Sequence, residues 1–304
     1  MTSDDDTIRT AAFAHCRRLL RDFGGAVPAA AIERGFEHGG ERIHIATRAR
    51  GIHRPRQMHR GVLSIKTTKP RQGRTARYDD AISDDGYFAY AFQGNDPRNR
   101  DNTALREALE DQSPLIYFYG LVPGVYEILF PCFLMDWDAQ ALRCTIGVGA
   151  ANELTVAAAD HRIREPIDRR YTTVEAKQRI HQAKFRELVL GAYGRRCAIS
   201  NLPVAELLQA AHIIPDRDER GRPQVTNGLC LSTLHHTAYD RNLLGIDPDG
   251  QIHVAEAVLA EHGGPTLETA IKAYHGRRIH LPRHAEDRPD RDLLAERFEG
   301  FRGG

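Results

Sequence analysis

Three stretches of the chain set the reading: Cys197-Ala-Ile-Ser-Asn-Leu202, Leu207-Leu-Gln-Ala-Ala-His-Ile-Ile-Pro215 and Val225-Thr-Asn-Gly-Leu-Cys-Leu-Ser-Thr-Leu-His-His-Thr-Ala-Tyr-Asp-Arg-Asn242. The apolar run Leu207–Ile214 predicts a strand with His212 near its end. Pro215 stops it, because proline cannot donate to a ladder. A polar stretch, 216–224, returns the chain to Asn227, and Leu229–Leu231 predicts a second short strand. Ser232 or Thr233 can cap the helix that follows. On that helix His236 and Asp240 are four apart and share a face. An imidazole and a carboxylate so placed can share a divalent ion. His235 lies one position earlier, roughly 100° around the helix, and is expected to pack or to face the substrate instead.

This strand–loop–strand–helix unit resembles the HNH (ββα-metal) nuclease family over about 195–255, through His212 in Ala-His-Ile-Ile-Pro, Asn227 in Thr-Asn-Gly-Leu, and His236 nine residues later. The resemblance implies that His212 is the general base that deprotonates the attacking water. It implies that Asn227 braces the loop and orients that histidine, that His236 is the helix metal ligand, and that Asp240 is a further ligand one turn on. A phosphodiester needs an activated water in line and a cation for the leaving oxygen. One ion, Mg²⁺ with Mn²⁺ as the alternative, suits both needs. The chain departs from the family at Ala211, where many members place Asp or His before the base. Of the positions where some members hold a structural zinc, only Cys197 fits; Ser200, Ser232 and His235 occupy the others. No structural zinc is expected, since such sites take four N/S ligands.

Upstream the pattern differs. Residues 7–35 read as helix, interrupted by Gly24, Gly25 and Pro28. Short β-rich runs follow at Arg42–Ala46, Val62–Thr67, Tyr87–Phe92, Leu115–Tyr119, Tyr126–Phe130 and Phe133–Asp136, with a helix near Asn102–Asp111 capped by Asp101 or Asn102. Several short strands with one helix suggest a curled sheet or small barrel. A further helix is expected from Thr172 or Thr173 through Leu190, and a final one over 291–300. The order Arg77-Tyr-Asp-Asp…Gly86-Tyr-Phe-Ala-Tyr-Ala-Phe-Gln-Gly94, Asn102-Thr-Ala-Leu, and Pro123-Gly-Val-Tyr-Glu-Ile128 resembles the SRA (SET and RING-associated) domain over roughly 45–140. That module binds flipped 5-methylcytosine in a curled sheet. A flipped base needs two flat walls and a group for its Watson–Crick edge. The resemblance implies Tyr78 and Tyr90 as the walls, Asp79 or Asp80 as acceptor from the exocyclic amine, and Ala91 as the small residue beside the methyl group. Tyr117, Phe118, Tyr119 and Phe130 are expected in the core.

Charge points to the same partner. The 304 residues carry 42 basic and 41 acidic side chains, so net charge alone says nothing. From Arg42 to Arg77, however, there are 11 Arg or Lys, three His, and no acid. Such a stretch suits a polyanion, with Arg54, Arg56, Arg60, Lys66, Lys69, Arg71, Arg74 and Arg77 as expected DNA-backbone contacts. The other reading is a solvated face balanced by acids elsewhere. Five cysteines with no Cys-x-x-Cys pair disfavour a disulfide scaffold. The acidic start, Met1–Thr10, does not resemble a signal peptide, and no run approaches 18 apolar residues, so a cytoplasmic protein without membrane partners is expected.

The expected fold class is α+β: an N-terminal SRA-like (PUA-like) curled sheet or barrel, and a C-terminal ββα-metal domain with a helical surround. The expected divisions are a helical arm over 1–40, the reader over 41–150, a basic connector over 151–190 and the nuclease over 191–304. The function implied is modification-dependent restriction of double-stranded DNA bearing 5-methylcytosine or a relative, by a homodimer, since one chain carries one active site. The alternatives are an HNH nuclease whose N-terminal domain reads unmodified DNA sequence or structure, a catalytically degenerate DNA-binding protein, and a toxin-type nuclease.

Overall fold

The computed structural model describes residues 4–69, 87–149, 166–215, 218 and 221–303, with main chain only for 166–171. The chain divides into two compact units, Met1–Ala183 and Lys184–Gly304.

The first unit opens with helix α1 (Asp4–Phe23), the two-residue strand β1 (Val27–Pro28) and the short helix α2 (Ala29–Glu33). A small hairpin, β2 (Phe36–His38) and β3 (Glu41–Ile43), follows. The main sheet comprises β4 (Ile52–His53), β5 (Ser64–Lys66), β6 (Phe88–Ala91), β7 (Leu115–Val122), β8 (Val125–Asp138) and β9 (Arg143–Val148), with helix α3 (Arg100–Glu110) between β6 and β7. Its order is β4-β5-β7-β8-β9-β6, with β1 attached to β8; β5 and β7 run parallel and the other pairs antiparallel. The sheet curls into a half-barrel, as expected.

Alternation along β7 explains why this strand is apolar throughout. Leu115, Tyr117, Tyr119 and Leu121 face one core with Phe88, Tyr90, Leu105 of α3, and Ala176 and Ile180. Ile116 and Phe118 face the other core, with Ile8, Phe13 and Leu19 of α1 and Ile32 of α2. The first helix therefore packs into this second core. Asp5, 8% exposed, accepts from the main-chain N–H groups of His59 and Arg60 at 3.0 Å each, which fastens α1 to the loop before β5. Asn99, two residues ahead of the nearer position expected, caps α3 by accepting from Asn102 N at 2.9 Å. Tyr126–Phe130 and Phe133–Asp136 belong to the single strand β8, which runs on through Pro131. The basic connector is helical where described: α4 (Pro166–Ala192) begins in the first unit and ends in the second.

The second unit contains β10 (Leu208–His212), β11 (Gly228–Ser232), α5 (Thr233–Asp240), the hairpin β12 (Leu244–Ile246) and β13 (Ile252–Val254), and helices α6 (Glu256–Ala260), α7 (Pro265–Ala270) and α8 (Arg291–Arg302). Its core joins Phe185, Val189 and Leu190 to Leu208, Ala211, Leu229, Leu231, Ala238 and Tyr239. Arg297 of α8 holds the end of α5: its guanidinium donates to Tyr239 O and Asn242 Oδ1 at 2.6 Å each. Asn242 has φ +54°, the left-handed conformation common just past a helix end. None of the described helices is long and apolar enough to cross a membrane.

Candidate active site

β10 and β11 pair antiparallel from Leu208↔Ser232 to His212↔Gly228, so His212 closes the hairpin opposite a glycine. Packing requires that glycine. A Cβ on Gly228 would lie 2.4 Å from Val189 Cγ2 and 3.0 Å from Phe185 Cζ. With the space open, the Phe185 ring lies flat on the His212 imidazole, centroids 4.0 Å apart and planes 11° from parallel.

Asn227 is 2% exposed. Its Oδ1 accepts from Ile214 N at 2.9 Å, and its Nδ2 donates to Ile214 O at 3.0 Å and Arg222 O at 3.2 Å. Its carbonyl accepts from Ile213 N at 3.0 Å. One residue therefore ties together both strands of the chain beside His212.

Ser232 caps α5, its hydroxyl accepting from His235 N at 3.3 Å. His236 and Asp240 meet on one face, Nε2 to Oδ2 at 3.2 Å, with side chains 23% and 58% exposed. The other ring nitrogen of His236, Nδ1, lies 2.7 Å from Gln209 Oε1 on β10. Ala211, two residues along the same strand, is fully buried. His235 turns inward and packs. Its Nδ1 contacts Ser232 Oγ at 2.9 Å and Cys197 Sγ at 3.4 Å, and its Nε2 donates to Ala270 O at 2.8 Å. Burial alone would push the Cys197 thiol up; its contacts with His235, Ser200 and Ser232 outweigh it and bring it down to about 6.

Residues 197–247 match the family model of the HNH endonuclease. The second unit carries an HNH endonuclease domain. With it the chain is a DNA endonuclease. None of the curated proteins matches the chain. Among solved structures, one described as "Modification dependent TagI restriction endonuclease" is 16% identical, with 83% of this chain and 85% of that chain covered and a TM-score of 0.32.

HNH nucleases use a divalent metal. The donors here suit one. His236 and Asp240 face each other in a solvent-open position, which fits a hard ion that keeps waters and draws further ligands from phosphate. Among the described residues no three His, Cys, Asp or Glu side chains gather into a larger ligand cluster. Phe185 and Gln209 escaped the sequence reading as site residues. Phe185 falls inside the helix expected through Leu190 with nothing to set it apart from the other apolar residues there, and the Gln209 contact joins a strand to a helix across 27 residues.

In the first unit only part of the expected pocket falls among the described residues. Tyr78, Asp79, Asp80, Arg71, Arg74 and Arg77 lie outside the described residues. Tyr90 is 4% exposed, edge-on to Tyr117 with centroids 6.0 Å apart. Ala91 ends β6, half-buried. Tyr117, Phe118 and Tyr119 are core residues, as expected. The five described cations expected at the DNA backbone engage partners within the fold. Arg54 meets Glu107 at 2.8 Å, Arg56 meets Glu41 at 3.3 Å, and Arg60 meets Glu110 at 2.9 Å and Asp111 at 2.7 Å. Lys66 Nζ donates to Thr47 O, burial lowers its pKa, and Lys69 lies 5.3 Å over the Tyr119 ring. The acids missing from the stretch itself come largely from α3.

Proposed function

We propose that this DNA endonuclease is modification-dependent: the N-terminal half-barrel reads 5-methylcytosine or a related base in duplex DNA, and the HNH domain cuts the backbone. The observation that carries the reading is the aromatic character of one face of the curled sheet, where the buried rings of Phe88, Tyr90, Tyr117 and Tyr119 form one cluster with centroids 5.6–6.0 Å apart. Aromatic faces in a concave sheet are what an extruded base stacks upon. The motif order of the SRA resemblance supports the same assignment, with Tyr78 and Asp79 or Asp80 completing the pocket.

In the HNH domain, His212 takes the proton of the attacking water. Phe185 fixes the plane of its ring, and Asn227 holds the main chain on either side of the loop. His236 and Asp240 hold a divalent ion, Mg²⁺ or Mn²⁺, which when bound supplies positive charge for the leaving oxygen. A homodimer, with one site for each strand, is the arrangement that makes a double-strand break.

A second reading has its own support. Tyr90 is 4% exposed and packed against Tyr117, so it offers no open face in this conformation. An HNH endonuclease whose N-terminal unit reads unmodified DNA accounts for that packing directly. One plasmid, prepared unmodified, 5-methylcytosine-modified and hydroxymethylated, decides between the two when digested with Mg²⁺ or Mn²⁺ and with EDTA. Metal-dependent cutting confined to modified DNA is expected. Equal cutting of all three would overturn the modified-base reading and leave the second one.

A further inference from the structure

We infer that Gln209 is a positioning residue for the metal site: its side-chain oxygen holds His236 as the Nδ1–H tautomer, so that the Nε2 lone pair is presented beside Asp240. The inference rests on the reading of His236 as a metal ligand and adds a residue to it. Oε1 of Gln209 lies 2.7 Å from His236 Nδ1. An amide oxygen has no hydrogen to give, so the hydrogen of that contact sits on Nδ1. A neutral imidazole with hydrogen on Nδ1 keeps its lone pair on Nε2, the nitrogen 3.2 Å from Asp240 Oδ2. Two lone-pair atoms then face each other without a hydrogen between them, and a cation satisfies both. With the amide reversed, Nδ1 would accept, Nε2 would carry the hydrogen, and the ligand nitrogen would be closed.

The fold builds this contact. Gln209 and Ala211 are two apart on β10 and share a face. Ala211 is fully buried, so the strand offers α5 a small residue to pack on. Thr233 Oγ1 donates to Leu207 O at 3.2 Å and ties the first turn of α5 to the start of β10. Gln209 then faces the turn that bears His236. Partners of this kind fix ring orientation and raise ligand basicity, and their loss costs roughly 10–100-fold in metal affinity.

Two measurements on the full-length chain test the assignment. Nitrogen-15 NMR of the neutral His236 ring in metal-free protein, at a pH where the imidazolium is absent, should show hydrogen on Nδ1; a neutral wild-type ring with hydrogen on Nε2 and none on Nδ1 overturns it. Calorimetric titration with Mn²⁺ should show Gln209→Leu binding roughly tenfold or more weakly, and Gln209→Glu, which keeps an acceptor, binding within a few-fold of wild type. Gln209 is exposed, so both variants are expected to melt as wild type does. His236→Ala separates the layers. If it loses Mn²⁺ while Gln209→Leu retains full affinity, the role of Gln209 falls and the metal ligand stands. If His236→Ala binds Mn²⁺ as wild type does, the ligand reading falls and takes this inference with it.

Discussion

The ring of Phe185 and the imidazole of His212 lie face to face, 4.0 Å between centroids and 11° from parallel. Phe185 comes from α4 and His212 from the end of β10, so the stack joins two elements of one core. A flat apolar floor leaves the imidazole one plane in which to work. Phe185→Leu keeps the apolar volume and loses the plane. Cleavage turnover is expected to fall roughly tenfold or more, because small misplacements of a reacting group are costly. DNA affinity, measured by gel shift with Ca²⁺ in place of Mg²⁺, should stay near wild type.

Removing the proposed base is the stronger perturbation. His212→Ala should lower cleavage by roughly 100- to 10,000-fold, the range general acid–base catalysis contributes. Binding of duplex DNA should persist. Undiminished cleavage would remove His212 from the mechanism.

Gly228 faces His212 across the hairpin, and a methyl group there would press on Val189 and Phe185. Gly228→Ala is expected to cost about 1–3 kcal/mol in urea unfolding, as overpacked cores do. It should also tilt Phe185 off His212, so that turnover drops at temperatures where the variant is fully folded.

Asn227→Ala leaves the N–H and carbonyl of Ile214 without their side-chain partner. Each buried group so orphaned costs about 1–3 kcal/mol. The melting temperature should fall by several degrees, and cleavage should fall further than the folded fraction accounts for.

The first unit contains a pH-dependent element unrelated to catalysis. Glu127 on β8 is 3% exposed, pairs across the sheet with Tyr119, and its Oε2 has no hydrogen-bond partner. Burial pushes its carboxyl up from an ordinary 4.5 to about 7, and the positive charge of Arg179 only partly opposes that. The folded state therefore favours the protonated form. The associated stability is complete below pH 4.5 and is lost as the pH rises through about 7. Glu127→Gln keeps the shape without the charge, and should stabilise the chain by roughly 3 kcal/mol at pH 8 and by little at pH 5. Thermal melts at the two pH values read the difference; an equal effect at both would place the benefit elsewhere.

The parts legible from sequence are those with a short-range signal. His236 and Asp240 stand four apart on a helix, and their meeting follows from helical periodicity alone. The β10–β11 hairpin was legible from an apolar run ended by proline and a second run after Asn227. Contacts between distant segments left no such mark. Gln209 reads as an ordinary polar strand residue and Phe185 as one apolar position among several. The two runs Tyr126–Phe130 and Phe133–Asp136 read as separate strands, yet β8 passes through both. The basic stretch looked unbalanced because its acids, Glu107, Glu110 and Asp111, are brought to it by α3.

The Asn227 clasp bears on how this nuclease can diversify. Its bonds to Ile214 and Arg222 close the loop at its base. Lengthening such a loop costs little, since closure entropy grows only with the logarithm of length. A change in the length of chain between Ile214 and Arg222 can therefore leave His212 in register with Gly228 of β11.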